Sequence, residues 1–398
     1  MRPTFVPWVL LVSVAAAQEP PKRDAKEIPG VDQRRVDEAI RKGIEYLKVA
    51  GSPAWHHIVS NSDELILYTF GVADVPPSDP EFKALWGRIL EEPPPRTYKA
   101  ALQAMLLEEL DRVKYQSRIV TCGQFLVDNQ CGNGQWSYGE PVPGGPGDVP
   151  STDPVASGGR NKVGERTSFE TRVKPKVLKK VVVRRTGEGP ATGDNSNSQY
   201  AALGLRACFD AGVVIPRETT LRAKKWWVES QHRERKDSDD VATGGSGPAR
   251  GWCYDQKDAH PAYGSMTAGA VGALVIYDYI LGKDYKRDPA VKSGLAWLGR
   301  NFSVTENPGP PEFHGGGLNH YYYLYALERV GVLYDTPKIG DRPWYADGAK
   351  VILDQQRPDG SWEGGSHPVW DTCYAILFLK RATRPLVPSV DGLKPREK

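Results

Sequence analysis

The sequence predicts an all-α chain in which six helical hairpins close into an (α/α)6 toroid. The first observation behind this is a seven-residue pattern, Gln-x-x-(Asp/Asn)-Gly-x-Trp, which occurs as QCGNGQW at Gln130–Trp136 and again as QRPDGSW at Gln356–Trp362. Recurrence of this kind marks an internal repeat. The second is that segments with apolar residues at helical spacing come in pairs, with a period of roughly 50 residues. The third is polarity: the first segment of each pair is amphipathic, as for an outer helix, and the second is apolar nearly all round, as for a buried one.

Taken in order, residues 1–17 read as an export signal, with Arg2 ahead of the apolar run Phe5 to Ala17 and small residues Ala15 and Ala17 at the cleavage positions. A linker rich in Pro and charge covers 18–33, and the toroid is expected over 34–381. Its hairpins pair Val36–Val49 with Asn61–Phe70, Phe82–Leu90 with Tyr98–Leu110, and Ile119–Val127 with Ser198–Ala211. The remaining three pair Leu221–Ser230 with Ser265–Leu281, Val291–Phe302 with Asn319–Val330, and Tyr345–Gln355 with Asp371–Arg381. Residues 141–193 interrupt the repeat. This insertion begins Gly- and Pro-rich and then becomes basic over 172–185, where lysines and arginines alternate partly with valines, so a β-hairpin is expected. The tail, 382–398, has the Pro and charge content of an unstructured segment.

Composition narrows the function classes. The chain has 398 residues and a net charge of only +3, which gives no overall basic signature of a nucleic-acid-binding protein. Any charged partner has to be met locally, and the basic stretch 172–185 could dock an acidic partner. No transmembrane segment is expected once the signal is cleaved. Five cysteines are too few and too scattered for a disulfide framework, although Cys131 and Cys253 fall in equivalent loops and could pair.

QCGNGQW and QRPDGSW match the QW motif of the squalene-hopene cyclase and protein prenyltransferase superfamily, which the chain resembles over most of its length. Gln231 with Trp252 resembles a third copy split by an insertion, with GWCY where GWGY is common. The resemblance implies the toroid, with Gln and Trp tying the end of one outer helix to its neighbour. Asp371-Thr372-Cys373-Tyr374 is similar to the element that supplies two zinc ligands in prenyltransferase β subunits. By that likeness Asp371 and Cys373 would bind zinc, with His367 or His320 as the third ligand. Asp237-Ser238-Asp239-Asp240 matches the acidic motif of the cyclases letter for letter, but stands in a polar connection rather than at an inner-helix start.

Candidate site residues lie at the inner-helix starts. Asn197, Asn319 and Asp371 stand in register, each followed three residues later by Tyr200, Tyr322 or Tyr374. In a toroid these starts meet at one mouth, where unpaired backbone N–H groups and positive dipole ends would favour an anionic or strongly polar ligand group. Side-chain capping of the helices accounts for such residues equally well. Asp194, Asn197, Gln199, Tyr200, Ser265, Asn319 and His260 are the expected ligand-binding set, and His320, Asp371, Tyr322 and Tyr374 the expected catalytic set. His56, His57 and His314 fall in the same zone.

Three functions fit. One is a cyclase- or prenyltransferase-like protein that binds an apolar or isoprenoid-type small molecule in an aromatic cavity. Another is a non-catalytic toroid that binds a peptide, a glycan or a partner protein. A secreted glycan-active enzyme is the third, and it needs two flanking carboxylates, for which Asp63, Glu64, Asp194 and Asp371 are the available acids.

Overall fold

The computed structural model describes residues 28–51, 62–91, 94–140, 174, 176–233, 248–256, 259–313 and 315–386. Twelve α-helices account for nearly all of the regular structure there. They are α1 (Gln33–Ala50), α2 (Ser62–Val72), α3 (Pro80–Leu90), α4 (Thr97–Asp111), α5 (Gln116–Asp128), α6 (Asn195–Asp210), α7 (Arg217–Ser230), α8 (Gly264–Leu281), α9 (Pro289–Arg300), α10 (His320–Leu333), α11 (Trp344–Asp354) and α12 (Pro368–Leu379). Each overlaps the segment read as helical from its apolar spacing.

The odd-numbered helices other than α5 bury one stripe only. In α1 this is Val36, Ala39, Ile40, Gly43, Ile44 and Leu47, the three-and-four spacing of a single face. Their starts are well marked in sequence: Asp79 and Asp288 accept backbone N–H bonds ahead of α3 and α9, and each is followed by a proline at the first helical position. The even-numbered helices are buried around their circumference. α8 is long and apolar enough to cross a membrane, but 83% of it is buried inside the protein. Helix contacts run in cyclic order, α2 to α4, α6, α8, α10, α12 and back to α2, with the odd-numbered helices packed outside this circuit.

Three Trp-centred junctions bind the outer helices together with the same bonds. The indole Nε1 of Trp136, Trp252 and Trp362 donates to the carbonyl of Leu126, Trp227 and Ile352, at 2.7, 2.8 and 2.7 Å, near the end of the preceding outer helix. Their backbone N–H groups donate to Ser198 Oγ, Thr267 Oγ1 and Thr372 Oγ1 on the following inner helix. Gln130, Gln231 and Gln356 reach forward to the carbonyls of Thr219 in α7, Ala290 in α9 and Ala39 in α1. The last of these joins α11 to α1, the two outer helices furthest apart in sequence. Four residues beyond two of those carbonyls stand glycines whose absent side chain admits the indole: a Cβ on Gly43 would lie 2.8 Å from the Trp362 ring, and one on Gly294 2.9 Å from the Trp252 ring.

The described part of the insertion departs from the expected hairpin. Its only strand, Val181–Val182 (β1), pairs in parallel with Val213–Val214 (β2), which follows α6. A parallel partner must come from elsewhere in the chain, and alternation of valines by itself does not say which edge they will find. Two basic residues of the insertion are used internally: Lys174 pairs with Glu108 and with Glu109, the latter at 3.1 Å, and Arg185 bonds Gln130. The start of the tail is likewise ordered by contacts. Thr383 bonds the buried Glu328 through its N–H and hydroxyl at 3.0 and 2.6 Å, and Arg384 pairs with Glu109. The export signal, the 141–173 stretch, Asp237–Asp240 and residues 387–398 lie outside the described residues.

Candidate ligand-binding mouth

The starts of the even-numbered helices interlock. Thr97 N–H at the start of α4 donates to Tyr138 O in the loop before α6, and Asn195 N–H of α6 donates to Tyr254 O in the loop before α8. Gly264 N–H of α8 bonds Pro308 O before α10, and His320 N–H of α10 bonds Gly364 O before α12, at 2.7 and 3.1 Å. Side chains take further donors: Asp194 Oδ1 accepts from Asn197 N–H, and Asn307 Oδ1 accepts from Ser265 N–H. Carbonyls of the next hairpin thus meet one N–H at each of four helix starts, and Asp194 and Asn307 meet two more, which removes these donors from helix-end anion binding.

Side chains from four of these helices converge instead. Tyr322 Oη on α10 lies 3.1 Å from Tyr98 Oη on α4 and 2.9 Å from Ser196 Oγ on α6, and accepts a bond from Gln199 Nε2 at 2.7 Å. Tyr98 Oη is 2.5 Å from Ser196 Oγ. The Tyr200 ring stacks on Tyr322 with centroids 6.3 Å apart, and Tyr374 on α12 meets Tyr322 edge-on at 5.4 Å. Burial raises the pKa of all four tyrosines, so they stay neutral donors and acceptors. Tyr98 and Ser196 are half-buried, whereas Tyr138 in the neighbouring loop is 49% exposed. Beneath this layer, Arg329 donates to Gln199 Oε1 at 2.7 Å, with its guanidinium 4.4 Å from the Tyr325 ring centre and 5.5 Å from that of Tyr200.

The expected residues separate into two groups. Gln199, Tyr200, Tyr322 and Tyr374 come together. The others are tied into local structure: Asp194 caps α6 and accepts from Asn197 N–H and Nδ2, and Ser265 is held by Asn307. Asn319 adopts the left-handed conformation, φ 55°, and accepts from Ser366 Oγ rather than capping α10. His320 is buried with Nε2 2.9 Å from Val304 O, and burial lowers its pKa. His260 is exposed in the loop before α8. Sequence reasoning missed Tyr98 and Arg329. A charged pair, Glu328-Arg329, inside the otherwise apolar α10 was the available signal for the second.

The expected zinc ligands make separate contacts. Asp371 Oδ2 accepts from Gly364 N–H and Ser366 N–H at 2.7 and 3.2 Å, and burial pushes this carboxyl up to about 6. His367 turns Nδ1 to Val369 N–H as the cap of α12, while Cys373 is fully buried, with its thiol pushed up to about 12 by burial. Among the described residues no cluster of three His, Cys, Asp or Glu side chains is arranged to hold a metal ion. All five cysteines are free, so the possible pairing of Cys131 with Cys253 is not formed.

The carboxylates considered for glycan hydrolysis are also engaged. Glu64 pairs with Lys99 at 3.1 Å and Asp63 with Arg88 at 2.9 Å. His56, His57 and His314 lie outside the described residues. No protein-family model matches the chain, and no curated protein matches it either.

Proposed function

We propose that the cyclic arrangement is an (α/α)6 toroid and that the protein is a binding module, non-catalytic, which takes a neutral hydroxyl-rich ligand of the glycan class at the mouth formed by its inner-helix starts. The observation that carries this reading is the Tyr98–Ser196–Tyr322 hydroxyl cluster, drawn from three inner helices, with the exposed Tyr138 in the loop whose carbonyl bonds the start of α4. Hydroxyls that both donate and accept, beside aromatic faces, suit the alternating polar and apolar surface of a sugar. The bound state of Asp63, Glu64, Asp194 and Asp371 weighs against a hydrolase. An isoprenoid-cyclising cavity is disfavoured by Arg329, whose buried cation already occupies the faces of Tyr200 and Tyr325 that would stabilise a carbocation.

Calorimetric titration with neutral β-glucan, chitin and mannan oligosaccharides tests the reading. Binding of at least one series is expected, weakened about ten-fold in Tyr138→Ala, the loss of one stacking contact. No heat with any series would overturn it, and release of new reducing ends would replace it with the hydrolase.

The basic insertion supports a separate acidic partner. With Lys174 and Arg185 used internally, Lys176, Lys180 and Arg184 remain exposed on alternate residues beside Leu178 and Val182, which are 84% and 61% exposed. Polyglutamate is expected to bind the full chain in low salt and to be released about ten-fold or more on raising salt from 50 to 300 mM. Unchanged affinity in a Lys176→Glu, Lys180→Glu, Arg184→Glu variant would remove the proposal.

A further inference from the structure

Arg329 carries a buried charge that no ion pair among the described residues meets. Its side chain is 2% exposed, and no carboxylate of the described residues lies within ion-pairing distance of it. Of its terminal nitrogens, Nη2 donates to Gln199 Oε1, while Nη1 is buried without a hydrogen-bond partner. The hydroxyl of Tyr325, whose ring lies 4.4 Å from the guanidinium, is also buried and makes no hydrogen bond. The adjacent Glu328 does not turn to Arg329: both of its oxygens accept bonds from Thr383.

A guanidinium removed from water without a counter-charge is strongly unfavourable, and cation–π contacts with two rings offset only part of that cost. The two unpartnered groups share a property. Arg329 Nη1 can only donate, and the Tyr325 hydroxyl has a proton to give, so both can donate to one added acceptor. A water molecule would satisfy geometry but leave the charge. An anion satisfies both, and a small monovalent one matches the single positive charge.

We propose that Arg329, with the hydroxyl of Tyr325, holds a small inorganic anion of the chloride class beneath the Tyr98–Tyr322 layer. The ion neutralises the axis and fixes Arg329, which in turn holds Gln199 and through it Tyr322. The site is structural, and the inference does not depend on which ligand the mouth takes.

The test is a crystal of the full chain grown or soaked in bromide, read by anomalous scattering. A bromide peak within about 3.5 Å of Arg329 Nη1 is expected. Thermal unfolding in sodium chloride against sodium gluconate at equal ionic strength gives a second readout. The midpoint is expected to be higher in chloride by about 3 °C, with the difference lost in Arg329→Gln and reduced in Tyr325→Phe. Absence of the bromide peak, or equal midpoints of the wild-type protein in the two salts, overturns the proposal. Both of those measurements use the wild-type chain, so a variant that fails to fold leaves the test intact.

Discussion

Trp362→Ala is expected to lower the unfolding free energy by about 4 kcal/mol, within the range for truncating a buried aromatic side chain. Trp362 is fully buried and spends its polar groups on two elements at once, Nε1 on Ile352 O of α11 and the backbone N–H on Thr372 Oγ1 of α12. Its ring sits against Gly43 of α1, so truncation opens a void at the junction that joins the last outer helix to the first. Gly360 in the same turn has φ 89°, and a Cβ there would lie 2.5 Å from Lys42 O, which leaves the turn little freedom to collapse into the void. Urea unfolding followed by fluorescence and circular dichroism measures the loss. Leu178→Ala, at a side chain that is 84% exposed, serves as the control and is expected to change stability by less than about 0.5 kcal/mol. A Trp362→Ala loss no larger than the control would mean that the junction does not support the ring.

The second large effect is a pH dependence carried by Glu328. Burial pushes its carboxyl up to about 7, against the opposing bonds from Thr383 and the charges of Arg329 and Arg381. A folded-state pKa above the unfolded one means that the native protein keeps a proton that the unfolded chain has released. The contribution is therefore fully present below about pH 4 and is lost as pH rises to about 7, a decline of up to about 3 kcal/mol. Asp371, pushed up to about 6, adds to the decline in the same direction. Glu328→Gln holds one acceptor for Thr383 and cannot ionise, so its stability is expected to be flatter than wild type between pH 4.5 and 7.5 by about 2 kcal/mol or more. Denaturant midpoints at several pH values check this, and parallel profiles for the two proteins would show that Glu328 is not the group responsible.

The helices were legible because each one's burial is written in its own residues. The stripe Val36, Ile40, Ile44, Leu47 states the period of α1, and the unbroken apolar run of α8 states that it is covered on all sides. The three Trp junctions were legible for a similar reason: Gln, Gly and Trp fall at short fixed spacing in two copies, and the third is only stretched by its loop. Tyr200, Tyr322 and Tyr374 could be chosen by register alone. Tyr98 could not, since no Asn or Asp precedes it by three residues to put α4 in that alignment. Arg329 meets Gln199 across 130 residues of sequence, a contact that no local pattern encodes.

What the sequence determined by itself is thus the set of helices, the division into one-faced and fully buried ones, and the residues that punctuate them, all consequences of local periodicity and capping chemistry. What only the tertiary structure decided is which polar groups remain available. An N–H at each of four helix starts is bonded to a carbonyl of the next hairpin, and Asp371 and His367 are turned to separate backbone partners. The guanidinium of Arg329, with no carboxylate of the described residues in ion-pairing distance, is buried between tyrosines. Hydrogen-bond satisfaction depends on neighbours brought together from distant parts of the chain, and that is settled only when the helices are assembled.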